Sequence, residues 1–247
     1  MTGTTPQRLR ALILSHEDAG GSGFIEECLV DRGIDVHMHV ILPDFSRPDA
    51  PAPFPDHREF DLIVVMGSYY SVYDEATIGS WVGDEIEIIR TAHEAGQPVL
   101  GICFGGQALA SALGGSVQEG EVTELGWFEI EPTNEPLPIS SGPWLEWHHD
   151  CFTPPPGAQV VAQTVAAPQM FRIRKSLGTQ FHPEINTELL TEWLQKAPDE
   201  YLAEQQVTRS QLMADLAVHE QANRKNCHDL VDWFLEEVAE LTTPGEL

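Results

Sequence analysis

Short apolar segments alternate with amphipathic helical segments along the first hundred residues, and this alternation constrains the fold more than any other feature. The apolar segments are residues 9–14, 36–42, 62–66 and 98–102, and the helical segments are residues 24–32 and 78–95. Strands that alternate with helices in this way form β-α-β units and pair in parallel. A continuous apolar run is typical of a parallel strand buried on both faces. The sequence therefore predicts an α/β protein with a mostly parallel sheet.

Residues 187–240 have a different character, because they lack strand signals and carry apolar side chains at helical spacing. These positions are Leu189, Leu190, Trp193, Leu194, Leu212, Leu216, Leu230, Trp233, Phe234 and Val238. Such helices cover part of a core or, alternatively, dock a partner. We expect residues 1–186 to form the α/β domain and residues 187–247 to form a helical C-terminal extension packed on it.

The chain is strongly acidic, with 39 Asp and Glu against 13 Lys and Arg and a formal net charge of −26. This charge repels phosphate backbones and anionic membranes, so neither is an expected partner. The N-terminus is polar and no apolar run approaches ~18 residues, which predicts a cytoplasmic protein without a membrane span. The four cysteines stand far apart without a C-x-x-C pair, and so predict neither a zinc site nor a disulfide framework.

Residues 98–113 combine an apolar strand, a cysteine among glycines and a helix of small residues. This order is the strand–turn–helix layout of a nucleophile elbow. Gly101, Gly105 and Gly106 relieve crowding at a sharp turn, and free N–H groups at a helix N-terminus favour a thiolate. Cys103 is therefore a candidate nucleophile, although a buried structural cysteine fits this segment alone about as well.

A candidate base lies about 80 residues later, in the segment that contains His182, Pro183 and Glu184. In an extended segment, residues two apart point to the same side, so the Glu184 carboxylate can reach one ring nitrogen of His182 while the other faces Cys103. The strand before this segment would place the pair at the carboxyl edge of the sheet, where open α/β folds hold their sites. An ordinary loop histidine is the alternative for His182 taken alone.

Two of these segments closely resemble motifs of the class I glutamine amidotransferases, the triad type found in the glutaminase domain of GMP synthetase. Residues 101–107 (Gly-Ile-Cys-Phe-Gly-Gly-Gln) resemble the nucleophile motif and residues 180–184 (Gln-Phe-His-Pro-Glu) the histidine motif. Residues 66–73 approximately resemble the oxyanion strand, and residues 147–150 the S-H-G-D loop. The likeness covers residues 9–186 and implies a flavodoxin-like three-layer α/β/α fold, with no metal and no cofactor.

The resemblance implies a covalent mechanism. Cys103 attacks the side-chain amide of glutamine, His182 protonates the departing ammonia, and Glu184 orients His182. Backbone N–H groups at Ser68 and Phe104 would bind the oxyanion. The substrate's amino-acid head group would lie near Gly67, Gln107, His149 and Asp150.

The chain departs from the family pattern at two positions. Ser68 stands where the family has glycine and so restricts the backbone of the oxyanion strand, and His149 replaces the glycine of the S-H-G-D loop with a bulkier group. Three hypotheses follow: hydrolysis of glutamine, with ammonia passed to a separate synthetase subunit or released; hydrolysis of another γ-glutamyl amide or peptide; and a non-catalytic binding module. The presence of Cys103, His182 and Glu184 together counts against the third.

Overall fold

The computed structural model describes residues 8–17 and 21–242. The strands in chain order are β1 (Arg10–Glu17), β2 (Asp35–Leu42), β3 (Leu62–Val65), β4 (Val99–Ile102), β5 (Ser116–Phe128), β6 (Glu131–Pro132), β7 (Trp144–Thr153), β8 (Gln159–Gln163), β9 (Pro168–Ile173) and β10 (Ser176–Thr179). The helices are α1 (Gly23–Asp31), α2 (Glu75–Ile78), α3 (Val82–Glu94), α4 (Phe104–Ala112), α5 (Thr187–Lys196), α6 (Asp199–Glu204) and α7 (Arg209–Trp233). A 3-10 turn at His57–Glu59 precedes β3, and a π-helical turn at Phe234–Val238 continues α7. Most of the polar N-terminal stretch considered above, residues 1–7, lies outside the described residues.

An eight-stranded sheet in the order β2–β1–β3–β4–β10–β9–β8–β6 forms the centre of the fold. The first five strands in this order are parallel, and β9, β8 and β6 add to them antiparallel. The carboxyl ends of β3, β4 and β10 therefore meet at one edge of the sheet. Strands β5 and β7 form a separate antiparallel ribbon. The predicted α/β fold with a mostly parallel sheet is confirmed.

Alternate residues of the parallel strands enter two different apolar cores, one on each face of the sheet. In β1, Ala11 and Ile13 face the core covered by α1 and α7, whereas Leu12 and Leu14 face the core covered by α3 and α4. Strand β3 divides in the same way, and all four of its residues are buried. The structure is therefore three-layered, as the resemblance implied.

The C-terminal helices pack on both α1 and the ribbon. The second half of α7 enters the α1 side of the core through Leu230, Val231 and the residues that follow them. Helices α5, α6 and the first half of α7 form a third apolar cluster with Leu125 and Leu145 of the ribbon. No helix in the described ranges is both long and apolar enough to cross a membrane.

The structure corrects two expectations. The helix predicted over 78–95 begins later, as α3 at Val82, because α2 ends at Ile78 and the buried Trp81 is outside the helical conformation. Residues 147–150, expected as a loop, lie within β7, where they pair with β5. The polar side chains of this ribbon concealed its strands from the apolar pattern.

Candidate active site

Cys103 occupies the turn between β4 and α4, at the carboxyl edge of the sheet. Its backbone has φ 50° and ψ −107°, a left-handed conformation that is rare for a residue with a side chain. Neighbouring backbone packs closely against the turn: a Cβ at Gly105 would lie 2.1 Å from the carbonyl oxygen of Val65. The Cys103 N–H donates to the Thr179 oxygen at 2.8 Å, which ties the turn to β10.

His182 follows β10 and lies beside Cys103, and both side chains border Gly67. Its Nδ1 lies 2.7 Å from Glu184 Oε1, so the other ring nitrogen is left for the thiol. Both side chains are buried, with 3% of His182 and 1% of Glu184 exposed. Burial lowers the pKa of His182, but the charges of Glu184 and Cys103 and the hydrogen bonds to both raise that pKa well above its usual value. The arrangement favours an imidazolium at His182.

The backbone around Glu184 is held by two elements outside the sheet. The buried Asn223 of α7 donates through Nδ2 to the carbonyl oxygens of Pro183 and Ile185, at 3.1 and 3.0 Å. The N–H of Phe24, in the first turn of α1, donates to the Glu184 oxygen at 2.9 Å. The carbonyls of three consecutive residues therefore have fixed partners, which sets the direction of the Glu184 side chain.

The segment predicted to form the oxyanion strand, residues 66–73, follows β3, and its Gly67 lies against Cys103 and His182. A Cβ at Gly67 would lie 3.1 Å from His182 Cε1 and 3.7 Å from Cys103 Cβ, so a side chain there would press on the His182 ring. Ser68 is outside the set of described non-glycine residues with positive φ, and serine is therefore accommodated without strain. Phe104 is the first residue of α4, and N–H groups of a first helical turn have no partner within the helix.

A hydrogen-bond network connects Cys103 to the predicted substrate-binding residues. Gln107 Nε2 donates to the Asp150 carbonyl oxygen at 3.1 Å and to Gln180 Oε1 at 3.3 Å. Gln180 Nε2 in turn lies 3.6 Å from Cys103 Sγ, and the Tyr73 hydroxyl donates to Asp150 Oδ1 at 2.7 Å. The sequence interpretation gave no role to Gln180 or Tyr73, although both lie in segments that resemble family motifs.

Behind this network lies a buried charged cluster that the sequence did not predict. His148 Nε2 is 3.2 Å from Glu124 Oε2 and 3.3 Å from Glu146 Oε2, and its Nδ1 is 3.0 Å from the Asp150 oxygen. Burial raises the pKa of Glu146. Burial lowers the pKa of His148, but its hydrogen bonds, chiefly to Cys151 and the two glutamates, raise it well above its usual value. The cluster fixes the backbone at Asp150.

A cavity of about 780 Å³ opens over Cys103. Ser71 and the half-exposed His149, whose Nε2 lies 3.4 Å from Ser71 Oγ, contribute to one side. The Phe, Tyr and Trp residues that line it are Phe45, Tyr69, Tyr70, Phe104, Trp147, Trp193 and Tyr201. Pockets of this size hold drug-sized ligands, so the space exceeds that needed by one amino acid.

Among the described residues, one group brings three ligating atoms close enough for a metal ion: Glu27, Asp31 and His228. It lies between α1 and α7, and not at Cys103. Glu27 is already paired with Arg224 at 2.6 Å and with His228 at 3.0 Å. These partners neutralise the carboxylate that a cation would need.

The fold and the site together define an α/β protein in which a cysteine at a left-handed strand–helix turn meets a buried histidine–carboxylate pair. The family model of glutamine amidotransferase class-I matches residues 18–197. The chain belongs to this family.

Individual relatives agree with the family match. A glutamine-hydrolyzing GMP synthase from Aromatoleum aromaticum is 30% identical over 168 residues, which are 61% of this chain and 29% of that protein. One of the subunits of a glutamine-hydrolyzing GMP synthase from Sulfurisphaera tokodaii is 31% identical over 137 residues, 52% of this chain and 69% of that polypeptide. The crystal structure of a glutamine amidotransferase from Thermotoga maritima shares the fold, with a TM-score of 0.79, 24% identity and coverage of 94% of this chain and 100% of that one. This chain's match spans less than a third of each of the first GMP synthases.

Proposed function

We propose that the chain is a glutamine amidotransferase-type hydrolase that cleaves the side-chain amide of glutamine through a thioester on Cys103. One observation carries the proposal: Cys103 at the left-handed turn and His182 both lie against Gly67, and His182 Nδ1 lies 2.7 Å from Glu184 Oε1. Nucleophile, base and orienting carboxylate are the three parts that covalent amide hydrolysis requires.

The chemistry proceeds in two halves. The Cys103 thiolate attacks the amide carbon, and the carbonyl oxygen takes up the negative charge against the N–H groups of Ser68 and Phe104. The His182 imidazolium gives its proton to the departing nitrogen, the C–N bond breaks, and ammonia leaves. Water then attacks the thioester while His182 accepts its proton, which releases glutamate and regenerates the thiolate. Glu184 stabilises the imidazolium throughout.

The side chains around the cavity suggest how the amino-acid head group is bound. Asp150 Oδ1 accepts from Tyr73, and its carboxylate lines the cavity, where it suits an α-ammonium group. Gln107, Gly67 and His149 also line the cavity and are proposed to contact the substrate. Gln107 is held by Asp150 and Gln180, so its orientation is fixed before substrate arrives.

The test is release of ammonia and glutamate from L-glutamine by the purified chain. We expect turnover by the wild type, none above background for C103A and H182A, and a reduced rate for E184Q, which keeps the base but weakens its orientation. C28A is the matched control, because Cys28 is also a buried free cysteine but lies on α1, outside the cavity lining. Full activity of C103A would refute the proposal.

A second candidate is hydrolysis of a larger γ-glutamyl amide or peptide. The observation that favours it is the cavity of about 780 Å³ with aromatic walls, which leaves apolar space beyond a glutamine side chain. A panel of γ-glutamyl amides with hydrogen, alkyl and aryl leaving amines separates the candidates. A higher kcat/KM for aryl amides than for glutamine, lost in W193A, would establish the second.

A separate synthetase subunit is the proposed acceptor of ammonia under the first candidate. The likeness to a polypeptide that is named as one of the subunits of a GMP synthase supports a division of the two activities between separate chains. If a partner is required, glutamine hydrolysis by the chain alone will be slow and will rise when the partner is added. The C103A variant must abolish the stimulated rate as well.

A further inference from the structure

A second histidine–carboxylate pair lies on the other side of the oxyanion strand. His16 of β1 and Glu85 of α3 are both completely buried, and His16 Nε2 lies 3.0 Å from Glu85 Oε1 and 3.2 Å from Oε2. His16 Nδ1 lies 3.0 Å from the carbonyl oxygen of Gly67. The His16 imidazole therefore connects β1 of the sheet, helix α3 and the segment at Gly67 that faces Cys103.

The partners of the ring determine where its protons are. A carbonyl oxygen only accepts hydrogen bonds, so His16 Nδ1 must carry a proton. Nε2 faces a carboxylate, so a second proton lies between the ring and Glu85. Burial lowers the pKa of His16, but Glu85, aided by Gly67 and the charge of Glu17, raises it above its usual value. The Gly67 carbonyl and the Glu85 carboxylate therefore favour a His16 ring that carries a proton on each nitrogen and donates both.

The hydrogen bond to Gly67 fixes the direction of the next N–H. In a planar trans peptide, the carbonyl of one residue and the N–H of the following residue point in opposite directions. The Gly67 oxygen is directed at His16, so the Ser68 N–H is directed away from it. Gly67 itself lies against His182 and Cys103. Within residues 8–17 and 21–242, the Ser68 N–H has no hydrogen-bond partner.

The same ring contacts the residue that carries the other predicted oxyanion donor. The His16 and Phe104 ring centroids are 4.5 Å apart in an edge-to-face arrangement, and Trp81 closes the other side at 5.3 Å. A buried ion pair is weak grounds for stability, since apolar replacements of similar volume are often neutral or stabilising. The position of this pair between the two donors indicates a different role.

We propose that His16, anchored by Glu85, is a positioning residue that holds the Gly67–Ser68 peptide with its N–H ready for the oxyanion formed at Cys103. This inference rests on the proposed acyl-transfer chemistry of Cys103. His16 touches no substrate in the proposal and acts only through the Gly67 carbonyl.

The test compares H16L, H16L/E85L and E85Q. H16L removes the hydrogen bond to Gly67 but leaves Glu85 buried and alone, which endangers folding. H16L/E85L removes both partners and replaces them with apolar side chains, so it is the decisive variant. E85Q keeps a polar partner for Nε2 and is the conservative substitution.

Two reactions of Cys103 separate positioning from a general structural effect. Hydrolysis of the amide, or of the best γ-glutamyl substrate, passes through an oxyanion. Alkylation by iodoacetamide displaces iodide at a saturated carbon and forms none. We expect H16L/E85L to lose about 10- to 100-fold in kcat, somewhat less than removal of an oxyanion donor. Its KM and its alkylation rate should stay within about twofold of wild type, and E85Q should lose about two- to fivefold in kcat.

The matched control is H93L, also on α3. His93 is buried and bonded at 2.8 Å to Ser176, the first residue of β10, at the opposite end of the strand from the Cys103 edge. H93L is expected to lower the melting temperature while keeping wild-type kcat.

Each other outcome overturns the inference in a recognisable way. Wild-type kcat in folded H16L/E85L would overturn it while leaving the proposed function intact, and equal losses of hydrolysis and alkylation would show a collapsed site instead of a misplaced peptide. If neither leucine variant folds, E85Q decides through the same ratio of hydrolysis to alkylation. A wild-type chain that cleaves no γ-glutamyl amide would refute the proposed function, and this inference with it.

Discussion

The left-handed turn at Cys103 predicts that the site stores conformational strain. At φ 50° and ψ −107°, a residue with a Cβ incurs about 1–3 kcal/mol, whereas glycine adopts this conformation and its mirror image equally well. Replacing alanine by glycine at an ordinary buried helical position costs about 1–2 kcal/mol, through lost helix propensity and a lost methyl group. At position 103, replacing alanine by glycine also relieves the backbone strain, and this relief offsets that cost.

The experiment compares two exchanges of alanine for glycine. The first is C103A against C103G, and the second is wild type against A108G, which alters a buried residue of the same helix α4. Urea unfolding gives the free energy of each variant. The first exchange should be more favourable than the second by about 1–3 kcal/mol, which for a chain of this size is roughly 2–4 °C in Tm per kcal/mol. Equal costs for the two exchanges would refute the stored strain.

Three further predictions concern other parts of the site. G105A should lower the free energy of unfolding by at least about 3 kcal/mol, because its Cβ would meet strand backbone at 2.1 Å, and urea midpoints close to those of the wild type would contradict this. N223A should lower the free energy of unfolding by about 2 kcal/mol and remove most of the kcat, because the two carbonyls beside Glu184 lose their donor. Full activity of this variant in steady-state kinetics would exclude this role of Asn223. His148 has a raised pKa when folded, so its stabilising contribution is complete below pH 6.5 and falls by up to about 1.4 kcal/mol per pH unit as pH rises toward the folded value. Urea midpoints measured from pH 6 to 9 should therefore decline less steeply in H148Q, and parallel profiles would contradict the assignment.

The sequence predicted the parallel sheet well because buried parallel strands are apolar along their whole length. Strand β3, with four buried aliphatic residues, is the clearest case. The ribbon of β5 and β7 was missed because its polar residues obscure the alternation, and because Glu124, Glu146 and His148 are buried by one another instead of being exposed. Charged residues are assigned to the surface by any pattern of hydropathy alone.

The candidate site was predictable where chemistry and topology coincide. Cys103 follows β4 and His182 follows β10, and adjacent parallel strands end at the same edge of a sheet. The hydrogen bonds that hold the backbone around Glu184 were not predictable, because their donor Asn223 lies on α7, 40 residues from Pro183 in sequence. His16 gave no signal either, since its role depends on three elements that meet only in the folded chain.

The contact made by Asn223 has a consequence for how this protein varies among its homologues. The family match ends at residue 197, yet the amide that holds the backbone around Glu184 comes from α7, beyond that limit. Because Asn223 binds only carbonyl oxygens, it constrains the path of the main chain at residues 183–185 and is indifferent to the side chains there. Homologues with a different C-terminal helix are therefore expected to supply another donor to these carbonyl oxygens wherever the asparagine is lost. A chimera that exchanges the helix without such a donor would keep every residue of the family motifs and still misdirect its carboxylate.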